Sequence, residues 1–425
     1  MDSSAINRKH HEYLFPCVTN YYSTPLPIKK GEGLYVYDWD DNRYLDFFGG
    51  ILTVSIGHCQ PEIVKEVEDQ IYTLQHTSTL YPTYPMVMLA EKLAQITPGK
   101  LNKSFFTNSG TEANEMAILT AQLYTGSREI VALRHSYHGR SYLAMTLTGH
   151  ANWRVGGNYI AGITHAASPY CFRCEFGATY PHCEIECAKN IDELIKTTTS
   201  GKIAAFIAEP IQGVGGFITP PKEYFEIAVE IIRKHGGLFI SDEVQTGFGR
   251  TGGKMFGIEH WGVEPDMMTF AKGLANGAPI GVTIATQEVA DSFKALSIST
   301  FGGNPVSTRA GLATLTYIEE HDLLNHVERV GNYLHMRLLE LKDKYPLIGD
   351  VRGKGLMLGI ELVREKKVPA VKEILQLFEN TKKRGLLIGK GGLYGNVVRI
   401  APPMTVDQAR IDEAIKILDE AFLEI

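Results

Sequence analysis

Gly237 to Gly273 places an acid after one apolar run and a lysine after another. Leu238, Phe239 and Ile240 read as a short buried strand. Asp242 and Glu243 follow at its carboxyl end, where open α/β sheets hold their ligands. Thirty residues on, Met267, Met268 and Phe270 lead to Lys272 and Gly273. Pyridoxal phosphate (PLP) chemistry uses this pair of side chains. A lysine amine forms a Schiff base with the cofactor aldehyde, and an aspartate keeps the pyridine nitrogen protonated. Burial and a nearby cationic ring both disfavour the ammonium, which frees such a lysine to act as nucleophile and then as general base. Spacing alone slightly favours a plain ion pair at a strand end, so the surrounding residues must decide.

Three further strand ends carry candidate chemistry. Ser104 to Phe106 runs into Thr107-Asn108-Ser109-Gly110-Thr111-Glu112, ahead of a helical pattern from Ala113 to Tyr124. Ser109 and Glu112 have capping-box spacing, which many helices use without binding anything. The same arrangement also makes an anion site, because free N–H groups and the helix dipole favour phosphate. Ile203 to Ala208 is a near-continuous apolar run, the mark of a strand covered on both faces, and it ends at Glu209. Glu129 to Arg134 is another strand, followed by Tyr137 and His138. Gly247-x-Gly249-x-x-Gly252 formally matches a dinucleotide fingerprint, but no helical pattern starts within it, so it reads as loop.

Length permits two or more domains around a large core. Hydrophobic content of 44% and charged content of 21% are ordinary for a globular protein. A net charge of −6 argues against nucleic acid or an anionic membrane as partner, and no apolar run approaches a bilayer span. The N-terminus has neither a continuous apolar core nor an Arg-rich amphipathic pattern, which makes a cytoplasmic location the expectation. Four of the six cysteines cluster as Cys171, Cys174, Cys183 and Cys187, with His182 alongside. Their spacing admits either a small zinc site or a loop of reduced or locally bridged thiols. No metal is assigned.

Around the acid–lysine pair, DEVQTGFGRTG (242–252) followed by Ala271-Lys272-Gly273 resembles the signature of class III (subgroup II) PLP-dependent aminotransferases. The resemblance extends from about Tyr35 to Pro403. It implies fold type I, in which a large domain with a mostly parallel sheet flanked by helices carries a smaller α+β domain built from both chain ends. The expected divisions are 1–85 joining the small domain, 86–321 as the PLP-binding domain, and 322–425 as the C-terminal small domain.

By the same resemblance, Lys272 carries the Schiff base and Asp242 holds the ring nitrogen. Val244 packs on one face of the ring and Tyr137 on the other. Gln245 bonds the ring hydroxyl, Ser109, Gly110 and Thr111 hold the phosphate, Glu209 contacts the cofactor environment, and His138 stands in the pocket wall. Thr300 is expected to reach the phosphate of a neighbouring subunit, which implies a homodimer with shared sites. Ile51 and Tyr81 are expected on the substrate side, and Arg399 is expected to take the substrate carboxylate.

The segments PYCFRCEFGATYPHCEIECA and VRGKGLMLGIEL look most like the alanine–glyoxylate and 4-aminobutyrate branches. In the 4-aminobutyrate and ornithine branches a second glutamate after Glu-Pro pairs with the carboxylate-binding arginine. Here Val214 stands at that position, in Glu209-Pro210-Ile211-Gln212-Gly213-Val214. The implied activity is therefore transfer of an amino group from an alanine-like donor to a small 2-oxo acid such as glyoxylate or pyruvate. An ω-amino acid aminotransferase and an amino-acid racemase or isomerase are the alternatives on this scaffold. Asp242, Lys272 and Arg399 together argue against a binding protein that has lost its chemistry.

Overall fold

The computed structural model describes every residue except Met1, Thr19 and Asn158. Its centre is a seven-stranded sheet. Across the sheet the strands run Leu101–Thr107, Gly281–Thr286, Met267–Phe270, Leu238–Asp242, Ala205–Ala208, Ile130–Leu133 and Ile163–Ala166. Gly281–Thr286 is antiparallel to both neighbours, and the other pairings are parallel. Every residue of Ile130–Leu133, Ala205–Ala208 and Met267–Phe270 is buried. That explains why these segments read as apolar runs and not as alternating patterns: helices cover both faces. The strand expected from Ile203 begins only at Ala205.

Helix Gly110–Thr125 packs on the Met267–Phe270 and Gly281–Thr286 strands. Ser109 caps it by accepting the Glu112 N–H, and Gly126 ends it in the left-handed conformation with φ 68°. The expected capping box forms differently: Glu112 Oε2 accepts from the N–H of Asn108, at 2.6 Å, and not from that of Ser109. Helix Tyr224–Lys234 buries Tyr224, Phe225, Ala228, Val229 and Ile232, one stripe at helical spacing.

Two smaller sheets bring the chain ends together. Hairpin strands Tyr35–Asp38 and Arg43–Asp46 pair with Ile28–Glu32 on one side. On the other side Leu386–Leu387 joins in parallel, so a C-terminal strand completes an N-terminal sheet. The third sheet holds Ile348–Lys354, Met357–Leu362, Val397–Ile400 and Gly389–Gly391, with Arg399 on a strand buried at all four positions. Helices Leu323–Lys344 and Val371–Lys383 cover these strands, and Gln408–Phe422 packs on both helices. The polar helix Ser3–Tyr13 buries none of its residues, and no apolar period announced it. Among the described residues no helix is long and apolar enough to cross a membrane.

One glycine fixes how closely the long C-terminal helix lies on the sheet beneath it. A Cβ at Gly331, inside Leu323–Lys344, would stand 2.5 Å from the carbonyl carbon of Gly355 and 2.6 Å from its Cα. Gly331→Ala would gain about 1 kcal/mol of helix propensity. It would also drive a methyl group into backbone that has no rotamer to escape through, and overpacking of that kind costs about 1–3 kcal/mol. We predict a lower denaturation midpoint at unchanged slope. A more stable variant would contradict this close approach.

Candidate active site

Asp242 closes the Leu238–Asp242 strand and is 3% exposed. The neighbouring parallel strand pairs Thr269 with Asp242, so Lys272 leaves that strand beside the carboxylate. Lys272 has φ 42°, a left-handed conformation that an L-residue adopts at a cost of about 1–2 kcal/mol. Burial is the main cause lowering its ammonium pKa below the ordinary lysine value. Arg399 works in the same direction, while Asp242 and Glu209 oppose it. The arrangement favours a neutral, nucleophilic amine.

Donors surround the Asp242 carboxylate. Oδ2 is 2.7 Å from His138 Nδ1 and accepts from Asn114 Nδ2 at 2.8 Å. Oδ1 accepts from the Val244 N–H at 3.1 Å. Because a carboxylate only accepts, His138 carries a proton on Nδ1; its Nε2 is buried without a partner. The sequence placed His138 in the pocket wall, and the structure puts it on Asp242. Glu243, next in the chain, takes no part in the pocket. Its carboxylate accepts from the N–H groups of Gly257 and Ile258 and from the hydroxyls of Ser241 and Thr246, which fastens the following loop.

Gly110, Thr111, Tyr137, His138, Glu209, Asp242, Val244, Gln245 and Lys272 all line one cavity of about 160 Å3. Asn114, Gly139 and Ala271 line it as well, and sequence reasoning did not single them out. Ser109 sits just behind, as the helix cap. Gly110 is required by close approach, since a Cβ there would meet Val244 Cγ2 at 2.9 Å. Glu209 accepts from the N–H groups of Tyr137 and Gly213, at 2.9 and 2.8 Å, and burial pushes its pKa up to about 7. Tyr137 is braced edge-on by Trp153, with ring centroids 5.4 Å apart.

Arg399 is 3% exposed. Its Nε donates to the Lys390 carbonyl at 3.0 Å, and Nη1 lies 3.4 Å from the Gly213 carbonyl. The guanidinium also faces the rings of Phe48 and Phe217, at 4.7 and 5.6 Å. Burial lowers its pKa, while the Tyr21 hydroxyl and, at longer range, Glu209 favour its charge. Among the described residues no carboxylate forms an ion pair with it. Tyr21 was missed because the Tyr21-Tyr22 pair lies in a short irregular stretch that carries no periodic signal.

Ile51 and Tyr81 are 46% and 65% exposed and stand outside the cavity lining. Thr300 is likewise exposed. The decoy glycines lie in turns, with Phe248 and Gly249 both at positive φ and no helix starting there. The four clustered cysteines line a common small cavity and are free thiols. Among the described residues no three His, Cys, Asp or Glu side chains are arranged to hold a metal.

The residues present fit PLP. A buried amine whose pKa is lowered by burial stands across from a carboxylate loaded with donors. The Gly110 and Thr111 N–H groups, which have no intrahelical acceptor, start a helix at the cavity's edge. Gln245 Oε1 is buried without a partner, an orphan that a ring hydroxyl satisfies.

Comparison with known proteins agrees. The family model described as aminotransferase class-III matches residues 18–422. Alanine–glyoxylate aminotransferase 2 homolog 2, mitochondrial, of Arabidopsis thaliana is 44% identical over 98% of this chain and 87% of its own length. The leucine/methionine racemase of Thermococcus litoralis is 38% identical over 98% of this chain and 95% of its own. A Bacillus anthracis aminotransferase structure superposes with a TM-score of 0.93 at 33% identity, covering 100% of this chain and 99% of that one. The chain belongs to the class III aminotransferases, and its cofactor is pyridoxal 5'-phosphate.

Proposed function

We propose that the enzyme takes its amino group from alanine or an alanine-like amino acid and passes it to a small 2-oxo acid such as glyoxylate or pyruvate. The observation that carries this reading is Arg399, a buried guanidinium with carbonyl, hydroxyl and ring partners but no acid paired to it. A buried charge without a counter-ion is costly, and a substrate carboxylate relieves that cost. A carboxylate bound there belongs to a substrate whose reacting carbon lies beside it, as in alanine and in 2-oxo acids. Val214 has no charge to mask the arginine between half-reactions. The Arabidopsis relative's name points the same way.

Bound PLP supplies a ring that accepts electron density when the substrate Cα loses its proton. Lys272, its pKa lowered by burial, takes that proton on Nζ and returns it to the adjacent reacting atom. Asp242 holds positive charge on the ring nitrogen, and Arg399 orients the carboxylate. We further propose that two copies share their sites, with Thr300 of each reaching the other's phosphate. Its exposure in a single chain suits that role.

Mixing enzyme with alanine alone and following the cofactor absorbance tests the reaction type. Transfer converts the cofactor to its amine form, whereas racemisation, the activity named for the Thermococcus relative, leaves it as the aldehyde. Lys272→Ala should abolish turnover without unfolding the protein. Val214→Glu should shift the preference between alanine and 4-aminobutyrate about tenfold toward the latter, since ~1.4 kcal/mol of masking is a factor of ten. An unchanged ratio, or wild-type preference for 4-aminobutyrate, would overturn the donor assignment. Hybrids of a Lys272→Ala chain with a Thr300→Ala chain should regain one intact site; hybrids no better than the weaker parent would rule out phosphate contact in trans.

A further inference from the structure

Asn114 lies in the second turn of helix Gly110–Thr125, whose start is the expected phosphate cradle, and it is 1% exposed. Asparagine is a poor helix former, because its amide competes for backbone hydrogen bonds. Here the amide bonds elsewhere. Nδ2 donates to Asp242 Oδ2 and to the His138 carbonyl, both at 2.8 Å. Oδ1 accepts from the Thr269 hydroxyl at 2.7 Å. Thr269 belongs to the strand that delivers Lys272, and its own carbonyl accepts the Glu243 N–H at 3.0 Å.

One carboxamide thus joins the phosphate helix, the carboxylate beneath the ring nitrogen, and the strand leading to the lysine. Its orientation is also fixed. Asp242 Oδ2 and the His138 carbonyl can only accept, so the NH2 group must face them, which leaves Oδ1 to accept from the Thr269 hydroxyl. If the amide were turned over, two oxygens would face each other in a buried site, which is strongly unfavourable.

We infer that Asn114 is a positioning residue for Asp242, with the Thr269 hydroxyl anchoring the amide oxygen, so that the carboxylate stays aimed at the cofactor nitrogen. This rests on the PLP-dependent chemistry proposed above but not on the choice of amino donor. The other ionisable groups near Asp242 are His138, on the same oxygen, Lys272 and Glu209 across the cavity, and Arg399 beyond them. Asn114 gives the carboxylate a donor that does not titrate.

The test is the absorbance of the cofactor-loaded enzyme as a function of pH, read without any amino donor. Asn114→Leu removes the amide at similar volume. Thr269→Val removes the hydroxyl that anchors its oxygen, and Thr269→Ser retains that hydroxyl. We expect Asn114→Leu and Thr269→Val to shift the spectral titration from its wild-type midpoint. Both should lower kcat about 10- to 100-fold, the range for a charge-assisted hydrogen bond, while leaving the donor KM unchanged. Thr269→Ser should match wild type, and the double variant should be no worse than Asn114→Leu alone. A wild-type titration in loaded Asn114→Leu would overturn the inference. Should that variant fail to fold, a wild-type titration in Thr269→Val would overturn it equally. If wild type titrates as expected but prefers another donor, the substrate reading fails and the role of Asn114 stands.

Discussion

The site depends on one buried carboxylate being held by donors and aimed. Asp242 has a ring N–H and an amide on one oxygen and a backbone N–H on the other, all within 3.1 Å. Removing a carboxylate from water is affordable only with such partners. Those partners come from three separate segments, at Asn114, His138 and Val244, and the central sheet must bring them together. The parallel pairing of Asp242 with Thr269 then places Lys272 within the same low-dielectric cavity, where burial lowers its pKa.

A second constraint comes from the ends of the chain. Arg399 rides on a C-terminal strand and is packed by Phe48 from the N-terminal region and by Phe217 and Gly213 from the large sheet's loops. Leu386–Leu387 docking beside Arg43–Asp46 holds those distant segments together. The carboxylate-binding side of the pocket is therefore an assembly of three chain regions, whereas the cofactor side is built almost wholly from the carboxyl ends of adjacent strands.

The sequence made the cofactor side legible for a physical reason. Strands covered on both faces leave unbroken apolar runs, and a polar residue at the end of such a run stands out; Asp242, Glu209 and Lys272 were all found that way. Glu243 has the same sequence signal as Asp242, yet it turns to hold Gly257 and Ile258, a difference that only the fold decides. Asn114 was invisible because it sits inside a helix whose pattern looks ordinary, and its partners lie 24, 128 and 155 residues away. Tyr21 and the reciprocal cap of Glu112 on Asn108 were lost for the same reason: nothing periodic marks them. The cysteine spacing allowed a metal shell, and among the described residues no three such side chains are grouped to hold one.

The most direct measurement of the central claim is the nitrogen NMR signal of ring-labelled cofactor in the loaded enzyme. The account predicts the chemical shift of a protonated pyridine throughout the pH range in which the enzyme is folded and active. It also predicts that Asp242→Asn moves the signal to the neutral position. A neutral-pyridine shift in the wild-type enzyme would contradict the account, because Asp242 would then not be holding the charge that the rest of the site is arranged around.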